Sequence, residues 1–249
     1  MSLLFKYYSI DERRYSISNL YKRRYRFTTS LFMFNDPFEG IGRVIYNEDQ
    51  SNNDFWEAVE SNIVFNKKNE LISNYRIFCC TEHYDNALMW AHYANSHTGF
   101  CVGYKKEDIE NISTKLQKVT YSSQPHDIEA RSDESILFIK SNEWEYENEW
   151  RGIYKLVDGD ITHLDSNVGN SDYKNKLHIP HIDHETNKPE ILESEIRIMK
   201  NCPPQIVYLG LRIGLGDKEQ IIDICRNLNI PTYQMKQIHN SFYLKAESI

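Results

Sequence analysis

A single mixed α+β domain is what this sequence predicts, on three observations. Short runs rich in aromatic and β-branched residues, the mark of strands on a pleated surface, recur along the chain. Other segments carry apolar residues at helical spacing. No internal repeat and no clean linker divides the 249 residues, a length that suits one large domain or one domain with a sizeable insertion.

In chain order, Leu3–Tyr8 reads as a first strand. Ser9 or Asp11 is placed to cap a helix running through Arg14 to Leu20, with Ile17 and Leu20 turned inward. Lys22–Thr29 joins a basic cluster to a strand-like end. It reads as a solvated corner or, more sharply, as a phosphate-facing patch, because arginines bind phosphate oxygens in a fork. Phe34–Gly40, with Asn35, Asp36, Pro37 and Gly40, reads as a structured turn anchored by its phenylalanines. Val44–Tyr46 reads as a strand, Asn47–Asn53 as a polar loop, and Asp54–Asn69 as a helix with Phe55, Val59 and Ile63 on one face.

Tyr75–Thr81 has the composition of a buried strand. Asp85–Asn95 follows as a helix with Leu88, Met89 and Tyr93 inward and Trp90 covering a neighbouring surface. Gly99–Tyr104 returns as a strand whose glycines permit close backbone approach. Ile109–Tyr121 adds a short helix and strand, and Ile136–Phe138 leads into an acidic stretch. Asp158–Asn187, rich in Asp, Asn, Ser and His, reads as a long exposed insertion. Ile191–Met199, Gln205–Gly210 and Ser241–Lys245 read as strands. Asp217–Asn227 reads as a helix with Ile221, Ile222 and Cys225 inward, and Gly214–Asp217 as the loop that caps it.

Composition narrows the function. Hydrophobic residues make up 40% and charged residues 26%, ordinary for a soluble globular protein. The net charge of −7 argues against a general nucleic-acid clamp but leaves room for a local basic patch. No run reaches the roughly 18 apolar residues of a membrane span. Met1–Lys6 lacks a basic region followed by an apolar signal core. An odd count of 5 cysteines without repeating spacing favours reduced thiols. A cytoplasmic protein with no membrane partner is expected.

The chain centres on Asn142–Tyr154. Read with a period of two, it sets Trp144, Tyr146 and Trp150 on one face of a strand and Glu145, Glu147, Glu149 and Arg151 on the other. A row of carboxylates repels itself unless water, an arginine or a ligand relieves it, and Arg151 relieves part. The face is either a solvated edge or a site.

Other chemistries find less support. His178, His181 and His184 are spaced by three beside Pro180. Cys79, Cys80, His83, His92, His97 and Cys101 form a second group. Neither has the spacing of paired zinc ligands, and no metal is expected. Cys79 and Cys80 lie within an apolar strand, where thiols are usually inert packing. No phosphate loop or dinucleotide fingerprint is present.

Six separated blocks carry a resemblance. They are Leu4–Tyr7, Phe34–Glu39, Met89–Tyr93, Gly99–Cys101, Trp144–Arg151 and Ile206–Gly210. In this order they resemble a bacterial family known as domain of unknown function 2971. More remotely, the order is similar to the ADP-ribosyltransferase fold, in which an opening strand carries Arg or His, a middle strand Ser or Thr, and a late strand Glu/Gln-x-Glu. Leu4–Tyr7, Phe78–Thr81 and Glu147–Asn148–Glu149 stand in those places, although Lys6 or Tyr7 replaces the usual Arg or His.

That resemblance implies a split β-sheet core with peripheral helices and NAD as substrate. Cleaving the nicotinamide–ribose bond develops oxocarbenium-like positive charge, which a carboxylate stabilises most in the transition state. Glu149 would be the catalytic glutamate, and Glu147 would orient the acceptor or take its proton. Thr81 would support Glu149, while Tyr7, Trp90 or Tyr93 would stack on nicotinamide. Lys6 or Arg26 would hold the diphosphate. The implied partners are a protein, RNA or DNA acceptor and an antitoxin or defence-system component, as for a toxin or antiphage effector. An inactive nucleotide-binding sensor of the same fold, and a metal-dependent nuclease built on Glu147, Glu149 and Arg151, are the alternatives.

Overall fold

Apolar alternation in the strands and amphipathic spacing in the helices meet in a large, mostly antiparallel sheet covered on both faces. The computed structural model describes residues 2–12, 14–27, 34–36, 38–40, 42–44, 71, 74–124, 126–128, 134–157 and 198–249. In chain order these form β1 (Leu3–Tyr8), α1 (Tyr15–Tyr21), β2 (Arg24–Phe27), β3 (Gly42–Val44), β4 (Tyr75–Thr81), α2 (Ala87–Tyr93) and β5 (Phe100–Lys105). Then come α3 (Lys106–Ile112), β6 (Lys115–Lys118), β7 (Thr120–Ser122), β8 (His126–Ile128), β9 (Ile139–Ser141) and β10 (Glu149–Lys155). The last are β11 (Ile198–Asn201), β12 (Pro204–Leu209), α4 (Leu215–Asn227), β13 (Thr232–Gln237) and β14 (Leu244–Ser248).

Eight strands join in the order β14-β13-β12-β5-β1-β4-β10-β6, and among the described residues β12–β13 is the one parallel pair of this sheet. Three two-stranded ribbons, β11-β2, β3-β8 and β7-β9, flank this sheet. The α+β class expected from the sequence is the class observed. No helix among the described residues is long and apolar enough to cross a membrane.

Side-chain parity divides the sheet. One face carries Leu4, Phe78, Cys80, Phe100, Val102, Val207 and Leu209, packed with Ile17 and Leu20 of α1, Ile109 of α3, and Ile221 and Cys225 of α4. On the other face, Phe5, Tyr7, Cys101 and Tyr208 pack with Met89 and Trp90 of α2. Ile77 and Ile153 on this second face pack with Ile136, Leu137 and Phe138, which form a short 3-10 helix (Glu134–Phe138). The burial of Ile17 and Leu20 follows the expected spacing. α1 starts later than expected, at Tyr15, and no side chain caps it, although Asp11 Oδ1 accepts from the Tyr15 amide at 3.3 Å.

Several local expectations are corrected. The acidic stretch is not one strand. Asn142–Glu147 is a 3-10 helix, Asn148 is left-handed (φ 44°, ψ 51°), and only from Glu149 does the chain join the sheet. The row of carboxylates is thereby broken, leaving Glu145 exposed while Glu147 and Glu149 are buried. Trp90, expected to cover a neighbouring surface, does so from the interior: it is fully buried, and its indole N–H donates to the Tyr84 carbonyl at 2.8 Å. Leu88, expected inward, points out instead: the arc of α2 that meets the sheet carries Met89 and Trp90, while Asn86 caps the Leu88 and Met89 amides. Phe38 is exposed, so Phe34 is the ring that packs inward from its turn. β13 was not foreseen; its Thr, Gln and Lys residues mask a strand lying beside the sheet edge. The expected strand Ser241–Lys245 runs instead over Leu244–Ser248. The expected helix over 54–69 and the insertion over 158–187 lie outside the described residues.

Close backbone approach does fall where the glycines predict it. A Cβ on Gly99 would sit 2.0 Å from the Tyr8 carbonyl oxygen and 3.1 Å from that of Ala94. Neither backbone atom can step aside, so Gly99→Ala should cost about 1–3 kcal/mol, as overpacking does. A urea unfolding curve with a lowered midpoint and unchanged slope checks this; an unchanged midpoint contradicts the packing described.

Candidate active site

The site begins with sheet register. Across three adjacent strands Phe5 faces Thr81, and Thr81 faces Glu149. Arg151 faces Cys79 on the same side of the sheet. Since alternate residues share a face, Glu149 and Arg151 point towards the layer that holds α2 and the 3-10 helix Glu134–Phe138. Residue Asn148 supplies the left-handed turn that Asn tolerates better than most residues. This turn swings Glu147 off the strand, and Glu147 and Glu149 converge on one ammonium group.

That group is Lys140 of β9. Its Nζ lies 2.6 Å from Glu147 Oε2, 3.4 Å from Glu149 Oε2 and 3.4 Å from Glu39 Oε1. Arg151 completes the cluster. Its Nε and Nη2 donate to the two oxygens of Glu149 at 2.7 and 3.0 Å. Nη1 and Nη2 donate to the two oxygens of Glu39 at 2.8 and 2.7 Å, and Nη1 also reaches the Leu137 carbonyl at 2.7 Å. All donor positions of the guanidinium fork are thus used. Glu147 is 2% exposed, Glu149 4% and Arg151 0%.

Neighbouring elements lock this arrangement. Tyr93 of α2 donates its hydroxyl to Glu147 Oε1 in a short hydrogen bond. The Glu149 amide donates to the Tyr121 hydroxyl at 2.8 Å. Asn86, whose side-chain oxygen caps α2, donates from Nδ2 to the Tyr146 carbonyl at 2.8 Å, so helix and acidic turn are tied together. Rings continue outward from Tyr93: exposed His92 lies 6.3 Å from Tyr93 and 6.2 Å from the half-buried Tyr146, and half-buried Trp144 lies 6.1 Å from Tyr146. Lys140 Nζ sits 4.5 Å from the Trp144 ring centre.

Three carboxylates share two cations here, and protonation adjusts to that excess. Burial pushes Glu147 up and the Glu149 charge adds to the push, against Lys140. Burial also penalises the Glu149 anion, but Arg151 and Lys140 outweigh it and hold Glu149 down to about 2. Burial works against the Lys140 cation too, and is overcome by Glu149, Glu147 and Glu39, so Lys140 stays charged. Two carboxyls on one lysine are therefore driven apart: Glu147 is shifted towards its protonated form, Glu149 towards its ionised form.

The residues singled out from the sequence fall in different places. Glu147, Glu149 and Tyr93 come together, and Thr81 is the register neighbour of Glu149. Tyr7 lies on the same face, buried edge-on against Trp90, and its hydroxyl donates to the His83 carbonyl at 2.9 Å. With Trp90 sealed in the interior, neither that indole nor Tyr7 is a surface on which a ligand ring can lie. Lys6, one residue from Tyr7, points to the opposite face, where its Nζ donates to the Cys79 carbonyl and lies 4.4 Å from the Phe78 ring centre. Arg26 is on β2, in the ribbon with β11. The Cys79 thiol donates to Glu149; burial and that carboxylate both hold the thiol protonated, which keeps it from acting as a nucleophile.

Lys140 and Glu39 are the residues that sequence reasoning missed. A lysine following the apolar run Ile136–Ile139, and a glutamate between Phe38 and Gly40, were the available signals: charges within apolar surroundings are rarely left unpaired. Residues 89–152, from α2 to the start of β10, match the family described as Protein of unknown function (DUF2971), in agreement with the resemblance drawn from the sequence. The matched region contains Tyr93, Lys140, Glu147, Glu149 and Arg151. No curated protein and no solved structure matches the chain.

Removing the fork should be severe. Arg151→Met leaves Glu39 and Glu149 buried without their main cation, a loss of about 3–5 kcal/mol. Because the Glu149 value is lowered from 4.5 to about 2 on folding, its contribution is present above pH 4.5 and drains away as the pH falls towards 2. Acid titration of stability should show that loss in the wild type and a smaller one in Glu149→Gln. Identical acid profiles would contradict the assignment of the ionised form to Glu149.

Proposed function

We propose that this protein is an NAD-dependent ADP-ribosyltransferase-like enzyme whose working pair is Glu147 and Glu149. One observation carries the reading: two glutamates separated by a single left-handed residue meet on one lysine, with opposite preferences for the proton. Pairs of carboxyls whose surroundings drive them apart are how acid–base roles are divided in glycosidic chemistry.

In this reading the nicotinamide–ribose bond breaks with its electron pair leaving on nicotinamide. Positive charge grows on the ribose, and Glu149, held ionised at neutral pH by Arg151 and Lys140, supplies the opposing field. A nucleophile of the acceptor bonds to the same carbon, and Glu147 takes its proton. Tyr93 and Lys140 set where that proton resides, because each donates a hydrogen bond to a different oxygen of Glu147. The rings of His92, Tyr146 and Trp144, outside the cluster, offer flat partly exposed surfaces suited to a nucleobase or nicotinamide. The acceptor class proposed is an intracellular protein or nucleic acid, as for a toxin or defence effector.

Two observations favour the second reading, a nucleotide sensor without turnover. Lys6, the substitute for the usual first-strand residue, faces the other side of the sheet. Both oxygens of Glu149 are already engaged by Arg151. A nuclease is less well supported, because the ammonium of Lys140 stands between the carboxylates where a divalent ion would bridge them.

Incubation with NAD and cell lysate, purified protein or RNA should release nicotinamide, measured by chromatography. Glu147→Gln should slow release by about 10²–10⁴-fold, the usual worth of a positioned base, and Glu149→Gln should abolish it with the fold intact. Calorimetric binding of NAD or ADP-ribose without any turnover would decide for the sensor. Neither binding nor turnover would overturn both readings.

A further inference from the structure

The eight-stranded sheet ends at β14, whose single neighbour among the described residues is β13. An open edge of this kind is a template for another strand. Two hairpin bonds identify which backbone groups it offers. The Ile238 amide donates to the Tyr243 carbonyl, and the Ile249 amide donates to the Thr232 carbonyl. With Lys236 facing Lys245 and Gln234 facing Glu247, residues 243, 245, 247 and 249 turn their backbone groups towards β13. Leu244, Ala246 and Ser248 therefore turn theirs outward.

We infer that β14 pairs with β14 of a second copy of this chain, antiparallel about a two-fold axis through Ala246. The sequence of the edge selects both partner and register. Outward residues must face outward residues, so the axis falls on Lys245, Ala246 or Glu247 for any pairing that overlaps most of the strand. An axis on Lys245 sets lysine against lysine, and one on Glu247 sets glutamate against glutamate. Only the axis on Ala246 sets each Lys245 opposite the partner copy's glutamate at the same strand position.

Side-chain chemistry agrees with that register. Lys245 and Glu247 are exposed and already attract each other within the strand, Nζ to Oε1 2.7 Å. The same register brings Tyr243, 76% exposed, opposite the second copy's Ile249, 51% exposed. Phe242, 97% exposed at the hairpin tip, lies just beyond. Edge lysines ordinarily guard against pairing. Here each has a carboxylate waiting across the axis, so the guard is cancelled for a second copy and kept against strands lacking that charge pattern. An isologous contact of this kind closes on itself and gives a dimer instead of a fibre.

Sedimentation velocity over a wide concentration range tests the pairing, together with hydrogen exchange at Leu244, Ala246 and Ser248. A dimer that grows with concentration and slows exchange at those amides is expected. Lys245→Glu and Glu247→Lys alone should each weaken dimerisation at least tenfold, and the double swap should restore it, because it rebuilds the same cross-axis pairs. All these positions are exposed, and a thermal melt confirms that each variant folds. A wild type monomeric throughout, or a dimer indifferent to both single reversals, overturns the proposal.

Discussion

The guanidinium of Arg151 is the contact on which the rest depends. Burying an arginine is tolerable only when its charge is matched and its N–H groups are satisfied. Here Glu149 comes from its own strand, Glu39 from a turn far away in sequence, and the Leu137 carbonyl from a short 3-10 helix. Three separate pieces of chain are thereby fixed against one face of the sheet. Lys140 adds the ammonium that the remaining charge requires, and Glu147 can then be buried as well. Without the fork the second glutamate would have no reason to leave water.

The cluster also sets the chemical character of the site. A solvated row of carboxylates would titrate together and do little. Burial changes that, because each ion is costly and the two cations cannot serve three anions equally. Glu149, gripped by Arg151, keeps its charge. Glu147, at the end nearer Tyr93 and the partly exposed rings, carries the surplus and holds a proton more readily. Division of labour between the glutamates thus follows from geometry, before any substrate is considered.

Much of the frame was legible in the sequence. β1, β4, β5 and β12 were read almost to the residue because their apolar and aromatic content exceeds that of their surroundings. The meeting of Glu147 and Glu149 was legible in part, but for an incomplete reason. A two-residue period placed them on one strand face, whereas Asn148 in fact breaks the strand between them. Local pattern alone cannot distinguish that turn from continued pairing. That Lys140 and Glu39 needed partners was legible from their apolar surroundings, but which partners was not, because these lie 7 to 112 positions away. Leu88 was misplaced because apolar spacing alone does not say which arc of a short helix the sheet will cover, and here it covers Met89 and Trp90.

Carbon-detected NMR titration of the side-chain carboxyls of Glu147 and Glu149 tests the account most directly. The account predicts that Glu147 takes up its proton above the ordinary glutamate range while Glu149 stays ionised until the pH nears 2. Two carboxyls titrating together near 4.5, as exposed glutamates do, would contradict it.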